Sequence, residues 1–433
     1  MRPRVTAGCF SGSRSQERGV PPFRRCDSDE AHDFFPIFVS ERATSPSKSV
    51  PVAALNSPST GPILLARPAS PTYHNIQLLR GIAALMVVAH HVFVLLIDRG
   101  IYAEIYWVSG AAGVDIFFPI SGFLMMVTTR NDPARPDKNR HFLLKRFLRI
   151  APLYWLLTTV KVLLLLAVPA LAVQGHLESW HTLTSYLFLP GRNFLAGHNH
   201  PVLPIGWTLN LEMFFYALFA LVLFAGGRPL RWIAPALVAL VAWRWVRPEM
   251  GATAAFYSDP IVIEFVFGML VAAWIMRGRR LSRGVALVLA PLSFAVLLST
   301  EYLPGFSGEY RLLFWGVPGA ILLFALVSLE GELTRLPFYG FGLLVGDASY
   351  AIYLVHGFML TAVGLACSRL GYSGMPATVG VMLVSVTGSI VAGIGLHRFV
   401  EAPVGRFLSA HLVRRHSRRV PFGATGSTSS GKT

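Results

Sequence analysis

An all-α polytopic membrane protein of about ten transmembrane helices, with N and C termini cytoplasmic, is the fold class this sequence predicts. Three observations carry it. Of 433 residues, 53% are hydrophobic and 14% charged, with a mean hydropathy of +0.54, which is more apolar surface than one soluble core buries. The apolar residues gather into runs long enough to cross a bilayer, and the basic residues concentrate in alternate loops between them.

Residues 1–70 differ in kind, being rich in Arg, Ser and Pro with no h-region before a cleavage site. They read as a disordered cytoplasmic extension rather than a secretory signal, an over-long start of the reading frame being the alternative. Spans then follow at 76–97, 107–128, 148–173, 205–225, 232–248, 260–276, 285–300, 312–329, 345–366 and 376–400. The fifth and seventh carry the weakest span signal. A basic tail, 409–433, reads as disordered, and its final SGKT lacks the strand and helix of a P-loop.

Loop charge tests the count independently. Loops after even-numbered spans carry Arg130, Arg135, Lys138, Arg140, Lys145 and Arg146, then Arg228 and Arg231, then Arg277, Arg279, Arg280 and Arg283, and the tail adds Arg414, Arg415, Arg418 and Arg419. Loops after odd-numbered spans are poorer, with Arg99, Arg192, Arg244 and Arg247, Arg311 and Arg369. After the eighth span Arg335 faces Glu330 and Glu332, which decides nothing. The formal charge of +16 is therefore attributed to loops facing anionic lipid, and no nucleic-acid partner is expected. Cys9, Cys26 and Cys367 show neither pairing nor metal spacing. His176, His181, His198 and His200 share one outer loop, but no carboxylate or cysteine completes a zinc site, so no metal is expected.

Ionisable groups inside spans each cost roughly 2.5–3.5 kcal/mol near a helix centre and need a reason. The first span carries Arg80, His90 and His91, the second Asp115, the fourth Glu212, the sixth Glu264 and the ninth His356. Arg80 and His91 lie within about 20° of one helix face and roughly 16 Å apart along it, whereas His90 falls about 80° away. His91, Asp115 and Glu212 each lie roughly 9–12 Å below the outer boundary. A carboxylate orienting the imidazole would make His91 a general base, and helix-to-helix hydrogen bonding is the ordinary alternative. On the cytoplasmic side, KRFLRIAPLYW puts Arg146 and Arg149 on nearly one face, where guanidinium forks suit phosphate and also suit plain anchoring.

The segments LLRGIAALMVVAHHVF, GAAGVDIFFPISGFLM, KRFLRIAPLYW, GWTLNLEMFFY, GDASYAIYLVH and HRFVEAPVGRFL, in this order over 76–408, resemble the acyltransferase-3 family of bacterial inner-membrane O-acyltransferases. GWTLNLEMFFY is most similar to the exopolysaccharide-acetylating branch. The resemblance implies an acyltransferase domain over 71–408, multi-pass in the cytoplasmic (inner) membrane, with no bound cofactor. It implies acetyl-CoA or another acyl-CoA as co-substrate and a saccharide or lipid-linked saccharide as acceptor, with membrane lipids around both. His91 takes the role of catalytic base, with Asp115 and Glu212 beside it. Arg80, Arg146 and Arg149 fall on the acyl-CoA-binding elements, and Ser121, His356 and Glu401 on supporting ones. Glu401 and His397 would either cap the chamber from the cytoplasm or neutralise nearby arginines. Pro119 departs from the family's usual aliphatic residue and is expected to kink the second span near Ser121. Direct transfer of the acyl group to an acceptor hydroxyl is the implied mechanism, a covalent acyl-enzyme through Ser121 or His91 staying open. A transporter or flippase using the intramembrane charges as a permeation path is the alternative from another class, and an inert sensor or scaffold a third.

Overall fold

The computed structural model describes residues 73–101, 107–130, 138–168, 177–191, 200–303, 306, 308–371, 374–408 and 410–411. The extension to 70, the tail apart from 410–411, Cys9, Cys26, His176 and His198 lie outside them. Among the described residues the chain is helical and has no strand. Ten principal helices follow the expected order: α1 (His74–Asp98), α2 (Gly113–Arg130), α3 (Lys138–Ala167), α4 (Trp207–Phe224), α5 (Pro229–Val246), α6 (Ile263–Met276), α7 (Arg283–Ser299), α8 (Val317–Ser328), α9 (Ser349–Leu370) and α10 (Met375–Leu396).

Nine helical stretches among the described residues are long and apolar enough to cross a membrane, α6 and α8 being lengthened by preceding turns to Ala252–Met276 and Gly308–Ser328. The chain is a multi-pass membrane protein. α5, which answers to the fifth expected span, is absent from the nine: its 18 residues include Arg231, Arg244 and an internal Pro235. The seventh expected span is present as Arg283–Tyr302. Two boundaries differ for physical reasons. α3 begins about ten residues before the expected 148 because its basic first turns are helical without being apolar. The ninth span starts at Ser349 because Tyr339–Asp347 forms a separate short helix.

α2 lies at the centre, with 72% of its most apolar stretch buried against 22% for α7. It packs along α6 and also touches α1, α4 and α8, while α9 pairs with α10 and α3 with α4. Glycines permit the closest approaches. A side chain at Gly268 of α6 would occupy the place of the Pro119 carbonyl, and one at Gly319 of α8 would sit 3.0 Å from the Asp115 carbonyl oxygen. Pro119 has no N–H for that carbonyl one turn back, yet α2 continues unbroken through it. Outward-facing leucines, valines and tryptophans, such as Leu166, Leu221, Trp245 and Val288, are exposed and supply the lipid-facing surface.

Helix packing at Gly268 should therefore be intolerant of a single methyl. Gly268→Ala is expected to destabilise the detergent-solubilised protein by about 1–3 kcal/mol through overpacking, read as a lower thermal midpoint. Gly380→Ala, with open space around its added carbon, is expected to be neutral or to stabilise by about 0.5–1 kcal/mol.

Candidate active site

α1, α2, α3, α4 and α9 enclose a cavity of about 80 Å³, and Arg80, Ser121, Arg146, Arg149, Glu212, Tyr216, Tyr350 and Tyr353 line it. Three guanidiniums thus face one carboxylate, which leaves the cavity a net attractor of anions. Arg80 is buried and its Nη1 donates to Gln77 Oε1 at 3.0 Å. Arg146 is buried too, its Nη2 donating to Thr128 Oγ1 at 2.9 Å, while Arg149 is exposed at the cavity's edge. The Ser121 hydroxyl donates to Glu212 Oε1 at 2.6 Å. Tyr216, one helical turn beyond Glu212, donates to that same oxygen.

The histidines form a second group. His91 Nδ1 lies 2.9 Å from the Val87 carbonyl oxygen, His90 Nδ1 2.8 Å from that of Trp107, and His356 Nδ1 2.6 Å from that of Tyr353. A carbonyl can only accept, so each Nδ1 carries a proton and each neutral ring keeps its lone pair on Nε2. The His91 and His356 rings are 5.0 Å apart, and Tyr353 lies 5.8 Å from His356 on the side of the cavity it lines. His356 is fully buried, and its Nε2 has no partner among the described residues.

The third group is an ion pair. Asp115, fully buried, takes Arg311 Nε at 2.7 Å and Nη2 at 2.9 Å in a bidentate bond. Arg311 is held between Trp207 and Trp315, 5.9 and 5.2 Å from their ring centres. Glu264 is buried against Gly316, neither of its oxygens hydrogen-bonded among the described residues.

The expected residues are therefore divided rather than gathered. Equal depth suggested that Asp115 or Glu212 orients His91, and neither does: the Val87 carbonyl fixes the imidazole, Arg311 occupies Asp115, and Glu212 turns to Ser121 and Tyr216. Arg80 and His91 do share a face of α1, but Arg80 lines the cavity and His91 does not. Ser121 reaches the cavity despite Pro119. Glu401 Oε2 pairs with His397 Nδ1 at 2.8 Å in the turn following α10. In the outer loop His181 Nε2 bonds the His200 carbonyl at 2.7 Å, and no group of three metal-ligating side chains occurs among the described residues.

Sequence reasoning missed Tyr216, Tyr353 and Arg311. Tyr216 stands four residues after Glu212, a spacing that puts two helical side chains in contact. Arg311 was counted as loop charge, although its place beside the start of a span made it available to a carboxylate at the same depth.

Residues 73–394 match the family model described as an acyltransferase domain, and the chain belongs to that family of acyltransferases. It is 36% identical over 326 residues, 73% of this chain and 94% of the relative, to the exopolysaccharide production protein ExoZ of Rhizobium meliloti (strain 1021). No solved structure matches. Family membership favours the acyltransferase over the transporter alternative.

Arg311→Ala should strand Asp115 in an apolar interior and lower unfolding stability by about 3–5 kcal/mol. Pairing it with Asp115→Asn should recover part of that loss in the same thermal assay. A double variant as unstable as the single one would show that Arg311 matters through its tryptophan contacts instead.

Proposed function

We propose that the protein transfers an acyl group, acetyl in the first instance, from acyl-CoA to a hydroxyl of an exported saccharide, free or lipid-linked, with His91 as the general base. The convergence of Arg80, Arg146 and Arg149 on one cavity carries the reading, because phosphate-bearing donors need clustered guanidinium forks. The cavity of about 80 Å³ has room for an acetyl group. His91 contributes an Nε2 lone pair held in one orientation by the Nδ1 bond to Val87, as a base for hydroxyl activation requires. The acceptor class follows the relative, an exopolysaccharide production protein.

The membrane is the bacterial cytoplasmic membrane, with both termini inside and α5 as a tenth crossing. At 18 residues α5 is roughly 27 Å long, close to the hydrocarbon thickness of roughly 30 Å. Arg231 and Arg244 lie near opposite ends, where long side chains reach the headgroups. The arginine cavity then opens toward the cytoplasm that holds acyl-CoA, and His91 lies toward the outer face. Asp115 serves the site by holding the outer ends of α2 and α8 together.

Purified protein in nanodiscs, given labelled acetyl-CoA and an envelope saccharide extract, tests the assignment. His91→Ala is expected to lower transfer about 10²–10⁴-fold, and equal rates would remove His91 from the role of base. Arg149→Ala should raise the KM for acetyl-CoA about tenfold or more, the worth of one charge-assisted hydrogen bond, while leaving the acceptor KM in place. A reporter fused after Leu408 should lie on the cytoplasmic side. Its appearance on the outer side would leave nine crossings.

A further inference from the structure

Among the hydroxyls that line the cavity, Tyr350 donates to the Ile150 carbonyl at 2.7 Å, Tyr353 to that of Ile205 at 3.0 Å and Thr208 to that of Ile205 at 3.2 Å. The two tyrosine bonds hold separate elements together, the threonine bond is local, and none of the three puts a carboxylate or imidazole beside the oxygen. Ser121 is different, an aliphatic hydroxyl in the cavity whose proton points 2.6 Å into a carboxylate, Glu212 Oε1. Nucleophile and base at hydrogen-bond distance, with a third group fixing the base, is the arrangement that activates a hydroxyl for covalent catalysis. Here Tyr216 is the third group, since it binds the same carboxylate oxygen. The imidazole that would activate an acceptor is elsewhere: His91 lies beyond Tyr353 and His356 and does not line the cavity. A donor held by the cavity arginines and an acceptor activated at His91 thus meet different parts of the molecule.

We infer that Ser121 takes the acyl group from the donor as a seryl ester on the cavity wall, with Glu212 as its base, and that the acceptor comes to the ester from the His91 side. The inference rests on the acyl-CoA reading above and adds a step to it. In the first half, Glu212 takes the Ser121 proton, Oγ bonds to the thioester carbonyl carbon, and the C–S bond breaks. The departing sulfur receives the proton from Glu212, so CoA leaves as the thiol and Glu212 returns to its ionised form. In the second half, the acceptor hydroxyl attacks the seryl ester as His91 Nε2 takes its proton, and the bond from the carbonyl carbon to Oγ breaks. As that bond breaks, Oγ takes a proton from Glu212, which has drawn one from water, and His91 gives the acceptor's proton back to water, so both groups return to their starting forms. The ester keeps the acyl group in the cavity while CoA withdraws, so donor and saccharide need not be bound together. Glu212, assigned to His91 by depth alone, becomes the partner of Ser121.

Full-length protein in nanodiscs, incubated with radiolabelled acetyl-CoA without acceptor and quenched in acid, reads this directly. Wild type should hold covalent label on the peptide containing Ser121. His91→Ala should hold it too but fail to release it when the envelope saccharide extract is added. Ser121→Ala should take no label and lose transfer, whereas Ser121→Cys should take label that neutral hydroxylamine removes, a signature that a merely structural serine would not produce. Undiminished transfer by Ser121→Ala, label surviving in that variant, or no label in wild type and His91→Ala alike would each overturn the seryl ester while leaving acyl-CoA as donor. Wild type that consumes no acetyl-CoA even with acceptor present would instead overturn the donor reading, and the ester with it.

Discussion

A charge inside a bilayer persists only where another polar group meets it, since on its own it costs roughly 2.5–3.5 kcal/mol near a helix centre. The bundle is arranged around that constraint. α2 receives a polar partner from three neighbours: Arg311 from the span of α8 onto Asp115, Glu212 from α4 onto Ser121, and Arg146 from α3 onto Thr128. Each bond also specifies a helix neighbour, which lipid cannot do through apolar contact alone because its tails are as apolar as leucine. Gly319 then lets α8 approach α2 beside the Asp115–Arg311 pair, and Gly268 lets α6 pack against α2 at Pro119.

The same economy separates the chemistry into two environments. One end of the cavity gathers guanidiniums around a single carboxylate, whereas His91 and His356 pair through Nδ1 with backbone carbonyls one turn away on their own helices and leave Nε2 free of those bonds. α1 carries a member of each group on one face, Arg80 and His91, and as a continuous helix it holds them in fixed register. In the proposed reaction, an acyl group moving from a phosphate-bearing donor to a saccharide passes from the one toward the other. The Tyr353 ring, which lines the cavity and packs on His356, stands at that passage.

Much of this was legible beforehand for a simple reason. Spans are local: twenty apolar residues must cross whatever surrounds them, and basic loops sort the two sides. α5 shows the limit of that reasoning, since two arginines and two prolines dilute a short helix below the level that composition alone recognises. The shared face of Arg80 and His91 was equally local, being set by 100° per residue. Partnerships between helices were not. Depth counted from sequence put Asp115, Glu212 and His91 at one level, but depth says nothing about which way a side chain points around the helix axis, and α2 presents Asp115 to Arg311 and Ser121 to Glu212.

By itself the sequence determined a helical membrane protein, the basic side of its loops, its family motifs and the short list of residues expensive enough to matter, because each follows from periodicity, composition or residue identity within one segment. Tertiary structure decided which expensive residues meet: Asp115 with Arg311, Glu212 with Ser121 and Tyr216, and His91 with His356 rather than with a carboxylate. Those choices depend on the rotation of each helix about its axis and on the close approaches its glycines permit, which packing fixes only when all the helices are present.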